Sequence, residues 1–316
     1  MKSPLKVLTI LLTLLAASPA FAAESVPVSW ATATKGGGFQ LFGQQLAEVI
    51  NATDERIQVK VIATKGSRQN LELLEAGDVD VGQVEGNAAR LALDGIGRPA
   101  IDLRVLSVMY PNPGMFVVRG DSGYASIEDL KGQPIAFGTQ ASGLRILAND
   151  VLDGLGLDPG KDFQQIILNK AADGPRLVLD GEAEALWGAG IGWPGFVAVT
   201  GGEAGGRFIA PSPEQVRQIR EKYPHLQEMT VPAGTYKGQL EDIHSVGLWS
   251  LILARPDLDN ETAYRLVRAM HLGYDEFTAR LPQGRYTQAA NTVNYVPAER
   301  LHPGARKFYE EIGLLP

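Results

Sequence analysis

The sequence predicts an α/β protein with mainly parallel sheets, and two observations carry that expectation. Short apolar runs rich in β-branched residues alternate with stretches of helical period along most of the chain. Several junctions from strand to helix are built of glycine and serine, and in open parallel sheets ligands bind at such carboxyl ends of strands.

The elements follow in order. The chain opens "MKSPLKVLTILLTLLAASPAFA", with Lys2 and Lys6 ahead of an apolar run from Val7 to Ala17 and then Ala20-Phe21-Ala22. This reads as a secretory signal peptide over residues 1–22, cleaved to leave Ala23 first, because the apolar run is too short to span a bilayer comfortably. Cysteine is absent, so an N-terminal lipid anchor through a cysteine is excluded and no disulfide contributes. A freely soluble, exported, periplasmic protein is expected. Removal of the leader takes two lysines and no acid from a chain of formal charge −7, which leaves the mature protein at −9. That balance argues against nucleic acid and anionic membrane surfaces as partners.

Strands are expected at "VPVSWAT", "IQVKVIAT", "VDVGQV", "LRVLSVMY", "MFVVR", "PIAFG", "FQQIIL", "AEALWG" and "SVGLWSLILA". In the helix opening near Phe39, the residues Phe39, Phe42, Leu46, Val49 and Ile50 fall on one face, with Gln44, Gln45 and Glu48 elsewhere. Ala263, Leu266, Val267, Met270, Tyr274 and Phe277 repeat the period near the C-terminus, behind Asp259 or Asn260 as cap.

Three junctions stand out. "ATKGGGFQ", "ATKGSRQN" and "FGTQASGLR" each offer unpaired backbone N–H groups at a positive helix end, a combination that binds carboxylate, phosphate or sulfonate. Glycine lets the backbone approach a ligand closely, although a tight turn without a ligand would use it equally well. Nucleotide loops do not fit: Lys35 precedes the glycines instead of following them, and Leu41 stands where a dinucleotide fingerprint needs its last glycine. The histidines His225, His244, His271 and His302 show no zinc-binding spacing, and there is no G-x-S-x-G elbow. No cofactor, metal site or catalytic residue is expected. His302 in "LHPG" reads as a turn residue.

"GGGFQLFGQQLAEVIN", "KGSRQNLELLEAGDVDVGQVEGNAARLALDG", "SIEDLKGQPIAFGTQASGLRILANDVLDGLGL", "VPAGTYKGQLEDIHSVGLWSLILARPDL" and "LHPGARKFYEEIG" resemble, in order, the TAXI solute receptors of TRAP transporters, the TRAP-associated extracytoplasmic immunogenic proteins. The resemblance implies a type II periplasmic binding fold with two α/β lobes, residues 23–118 and 245–316 forming one and 119–244 the other. The chain should cross near "MFVVRGD" and return near "EDIHSVG". It further implies a protein that closes on a small organic anion, a carboxylate or amino acid, and delivers it to a TRAP membrane permease without catalysis. An ABC-type binding protein or a sensor-associated module is the alternative, and a hydrolase or transferase the remote one.

Carried over by position, the resemblance puts Lys35, Gly36, Gly37, Gly38, Phe39 and Gln40 at the cleft, with Ser67 and Arg68 from the second loop. Thr139, Gln140, Ala141, Ser142 and Gly143 come from the far lobe, and Gly190 with Trp193 follows a further strand. Three departures bear on the ligand. Ala141-Ser142-Gly143-Leu144 stands where relatives show Gly-Ser-Gly-Thr, Phe39-Gln40 replaces an aromatic pair, and Glu85 replaces a glutamine. Glu85 either meets an ammonium group of the ligand, or faces solvent or pairs with Lys35, Lys65 or Arg68. Arg68 could grip a carboxylate or stay solvated, Arg145 snorkels to water, Trp187 reads as core and Trp193 as site, and Tyr236 has no assigned role.

Overall fold

The computed structural model describes residues 25–316, and the leader predicted over residues 1–22 lies outside them. Twelve strands appear among the described residues: β1 Val26–Ala31, β2 Ile57–Ile62, β3 Val81–Val84, β4 Arg104–Pro111, β5 Met115–Arg119, β6 Pro134–Thr139, β7 Gln164–Leu168, β8 Ala185–Gly188, β9 Gly206–Ile209, β10 Gln227–Val231, β11 Ile243–Gly247 and β12 Trp249–Ala254. They form two five-stranded sheets, ordered β2-β1-β3-β12-β4 and β7-β6-β8-β5-β9, and a hairpin of β10 with β11. The two large sheets share one topology. In each, one strand runs antiparallel to both its neighbours: β12 against β3 and β4, and β5 against β8 and β9. Those two strands are the ones by which the chain enters a sheet from the other half, so "mainly parallel" is corrected to mixed, with one reversed strand per sheet.

The strand at 115–119, near which a crossing is expected, is a member of the second sheet. Chain passes between the sheets at Asn112–Gly114 and again at Gly247–Leu248, and the two passages are bonded to each other. Asn112 N donates to Leu248 O at 3.1 Å and Gly114 N to Val246 O at 3.0 Å. The Asn112 side-chain amide donates to Ser250 Oγ at 2.7 Å. A Cβ on Gly247 would lie 1.8 Å from Asn112 O, so the close approach of these passages requires glycine there.

The helix that opens at the triple glycine, α1 Gly38–Thr53, buries Phe42, Leu46, Val49 and Ile50 completely, as its period predicts. Phe42 meets Phe277 edge to face at 5.0 Å. The capping choice near the C-terminal helix resolves to Asp259, whose side chain accepts from Thr262 N at 2.9 Å. Trp30 and Tyr309 anchor the first core, and Phe116, Phe137 and Trp187 anchor one face of the second sheet. Its other face is covered by Phe196, Val199 and Leu186. His302 caps a helix as well as ending a turn: its Nδ1 accepts from Gly304 N at 3.1 Å in a fully buried position.

Candidate functional site

A cavity of about 70 Å³ lies between the two sheets, walled by both. The space suits a small solute. Four helix starts surround it: α1, α2 Ser67–Ala76, α3 Gly86–Leu93 and α4 Leu144–Gly154.

The loop before α1 uses each glycine differently. Gly36 takes φ +79°, a conformation that side chains resist. A Cβ on Gly37 would stand 3.0 Å from Thr34 O and 3.2 Å from Ala171 Cβ. On Gly38 it would stand 2.7 Å from Trp193 Cδ1, a ring supplied by the other half of the molecule. No side chain caps this helix, so its first-turn N–H groups are open to a ligand. Trp193 is itself held between Gly188 and Gly195, each of which would bring a Cβ to 2.4 Å of the indole.

The arrangement is mirrored across the cleft. Gly143 at the start of α4 faces Glu85 from the first half, and a Cβ there would lie 2.5 Å from Glu85 Cβ and 2.9 Å from Ser67 Oγ. Four hydrogen bonds among the described residues join the halves directly: Arg68 N to Ala141 O at 3.2 Å, Thr139 Oγ1 to Lys65 O at 3.1 Å, Ala171 N to Thr34 Oγ1 at 3.1 Å, and Ile191 N to Pro111 O at 3.3 Å. The two halves therefore meet directly around the cavity.

Glu85 is buried and caps α3, accepting from Asn87 N at 3.0 Å and Ala88 N at 3.3 Å. Neither solvent exposure nor pairing with Lys35, Lys65 or Arg68 describes it; its own helix supplies the hydrogen bonds that those cations were expected to supply. Burial pushes its pKa up to about 8 against the pull of the Asn87 and Ala88 amides, and nearby Asp150 adds to the rise. Ser67, also buried, accepts from Glu85 N at its hydroxyl oxygen at 3.0 Å. Asn70 fixes the start of α2 by donating to Thr32 O and Gln83 O, each at 2.7 Å. That bond pair ties the helix to the ends of β1 and β3.

Of the positions proposed from sequence, Gly37, Gly38, Phe39, Ser67, Glu85, Thr139, Ser142, Gly143 and Trp193 line this cavity. Seven do not. Gly36 lines a neighbouring hollow beyond Trp193. Lys35 and Arg68 are exposed, and Gln40 turns outward to accept from Gly36 N and donate to Gln44. Gln140 accepts from Arg145, while Ala141 contributes only its carbonyl to the bond with Arg68 N. Gly190 sits beside the cavity, where its carbonyl accepts from the buried Tyr236 hydroxyl at 3.1 Å. That hydroxyl also accepts from Gly192 N at 2.9 Å, which gives Tyr236 a role as a prop for the loop carrying Trp193. Arg145 does not run free to water: its guanidinium reaches Gln140 and Gln165.

Sequence reasoning passed over Tyr110, Asn112, Leu168 and Leu186, whereas Leu144, singled out where relatives show threonine, does line the cavity. Tyr110 is buried, its pKa is raised by burial alone, and its hydroxyl has no hydrogen-bond partner among the described residues. Trp187, read as core, is both: it packs on Phe116 at 4.8 Å and lines the cavity, with its Nε1 donating to Leu144 O at 2.8 Å. The cavity thus combines an apolar wall, open amide donors at helix starts and one buried carboxyl group.

Residues 30–313 match the NMT1-like family, and the chain belongs to that family. Among solved structures, a protein of Bordetella bronchiseptica RB50 is similar with a TM-score of 0.57 at 16% identity, covering 90% of this chain and 98% of its own. The periplasmic binding protein BugD aligns with a TM-score of 0.53 at 14% identity over 92% of this chain and 98% of its own. The alkanesulfonate-binding protein SsuA from Xanthomonas axonopodis pv. citri, bound to MOPS, aligns with a TM-score of 0.51 at 16% identity over 93% and 96%. At such identities the likeness is one of fold, the two-lobed α/β fold of periplasmic binding proteins.

Proposed function

We propose that this NMT1-like protein is an exported, non-catalytic solute-binding protein that closes its two lobes on a small organic acid and presents it to a membrane permease. The observation that carries the reading is the cavity itself: it exists only between the halves, and both halves wall it. Hinge closure around a solute is the motion that such a construction supports, with the passages at Asn112–Gly114 and Gly247–Leu248 as hinges. Open amides of α1 and the apolar wall of Phe39, Leu144, Leu168, Trp187 and Trp193 favour an acid with a short apolar body.

The permease is the finer question. TAXI-like text in the sequence favours a TRAP permease, whereas the two-lobed fold by itself accommodates an ABC-type receptor at least as well. Uptake into membrane vesicles supplied with the loaded protein separates the two, since one needs ATP and the other an ion gradient. Solute binding itself is tested by thermal-shift screening of refolded, ligand-free protein against small carboxylates, sulfonates and amino acids, because a ligand of the native state alone raises its stability. A compound that raises the melting temperature and is recovered unchanged supports the reading; conversion of the compound into a product would replace it with an enzyme.

A further inference from the structure

We propose that Glu85 makes this site selective for zwitterions: the ligand carries a protonated amine that meets Glu85 and an acidic group that meets the helix starts across the cavity. The inference rests on the solute-binding reading and names its ligand class.

Four observations converge on it. Glu85 is 1% exposed yet belongs to the lining of the cavity. One of its oxygens, Oε2, takes both backbone amides of α3, whereas Oε1 has only the Asn87 side-chain amide at 3.5 Å, too long for an effective bond. The charged and titratable groups that act on it are Asp150 from α4 and the phenol Tyr295 from the helix Ala289–Tyr295, and neither is a cation. The other groups packed on it, Ser67 Oγ and the Gly143 backbone, are neutral.

A buried carboxyl group without a cation holds its proton, and burial here pushes the pKa up to about 8. A ligand ammonium at Oε1 supplies the missing cation and makes ionisation favourable through a charge-assisted hydrogen bond. The step balances: the free site holds Glu85–COOH, the ligand arrives as its ammonium form, and the proton from Oε1 leaves to solvent as the ion pair forms. Alanine, β-alanine and taurine are small solutes that carry both an amine and an acid group.

Isothermal titration of the refolded protein with L-alanine, β-alanine and taurine, and with propionate and ethanesulfonate as amine-free counterparts, tests this directly. Repeating each titration in buffers of different ionisation enthalpy counts protons. The expected result is binding of at least one ammonium-bearing compound at least about tenfold tighter than its counterpart, with close to one proton released per ligand at pH 7. Its affinity should rise about tenfold from pH 6 to pH 7, because the ionised fraction of the free site rises by that factor. Glu85→Gln should abolish both the proton release and the preference; should that variant not fold, proton release by the natural protein decides alone. Binding of propionate or ethanesulfonate as tightly as the amines, with no proton released, overturns the zwitterion assignment and leaves the solute-binding reading standing. Binding of none of the five overturns both.

Discussion

Gly143→Ala isolates lobe closure from folding. The residue sits at φ −62° and ψ −27°, where alanine fits without backbone strain, so the fold itself should be unharmed or gain about 0.4–1 kcal/mol from a less flexible unfolded chain. With the halves in contact, however, the new methyl group would lie 2.5 Å from Glu85 Cβ, and ordinary carbon contact begins at about 3.5–4.0 Å. The lobes must therefore part by roughly 1 Å at this point. Two of the hydrogen bonds between the lobes lie beside it, Arg68 N to Ala141 O and Thr139 Oγ1 to Lys65 O. Losing both at about 0.5–1.5 kcal/mol each costs the closed form about 1–3 kcal/mol, a factor of roughly 5–150 in ligand affinity. Titration calorimetry with the tightest compound of the panel above, alongside thermal unfolding of the ligand-free protein, reads the two effects separately. Affinity within twofold of the natural protein would refute the assignment of this contact to closure.

Two further outcomes are expected from single substitutions. Burial raises the native pKa of Glu85 to about 8 from an ordinary value near 4.5, so the native state keeps a proton that the unfolded chain releases in between. The stability this confers is full below pH 4.5 and is lost as pH rises through 8, by up to about 5 kcal/mol, whereas Glu85→Gln should show no such slope. Urea unfolding of both proteins at pH 5 and pH 8 checks this: the variant should gain relative to the natural protein at the higher pH, and equal slopes would contradict it. Tyr236→Phe strands the Gly190 carbonyl and the Gly192 amide, and should destabilise by about 1–3 kcal/mol in the same assay. A loss under about 0.5 kcal/mol would remove its role as a prop for the Trp193 loop.

Much of the fold is legible along the chain because buried strands leave dense apolar runs. The strands missed are those without that density: "GRFI" of β9 is four residues long, and "QEMTV" of β10 alternates polar and apolar residues on an exposed hairpin. The run "SVGLWSLILA" reads as one strand but is cut at Gly247, because the chain leaves one half of the molecule and enters the other there. Which strand runs backwards depends on pairing between residues far apart in sequence, and local pattern does not contain it.

At the site, glycine junctions mark themselves, since bare backbone before a helix is unusual wherever it occurs. Tyr110, Leu168 and Leu186 do not, because residues at strand ends look like core until the topology turns those ends toward a common cavity. The surroundings of Glu85 did leave a signal. An acid directly before the helical "GNAARLAL" is a cap, and that local bond outcompetes any pairing with the distant Lys35, Lys65 or Arg68. The outward course of Arg68 and Gln140 had no comparable signal, since both stand next to residues that do line the cavity.

Small-angle X-ray scattering of the refolded protein, with and without the tightest-binding compound of the panel, tests the central claim of solute capture by lobe closure most directly. A smaller radius of gyration with ligand, together with recovery of the compound unchanged, is the result expected. Identical scattering curves at saturating ligand would contradict capture by closure.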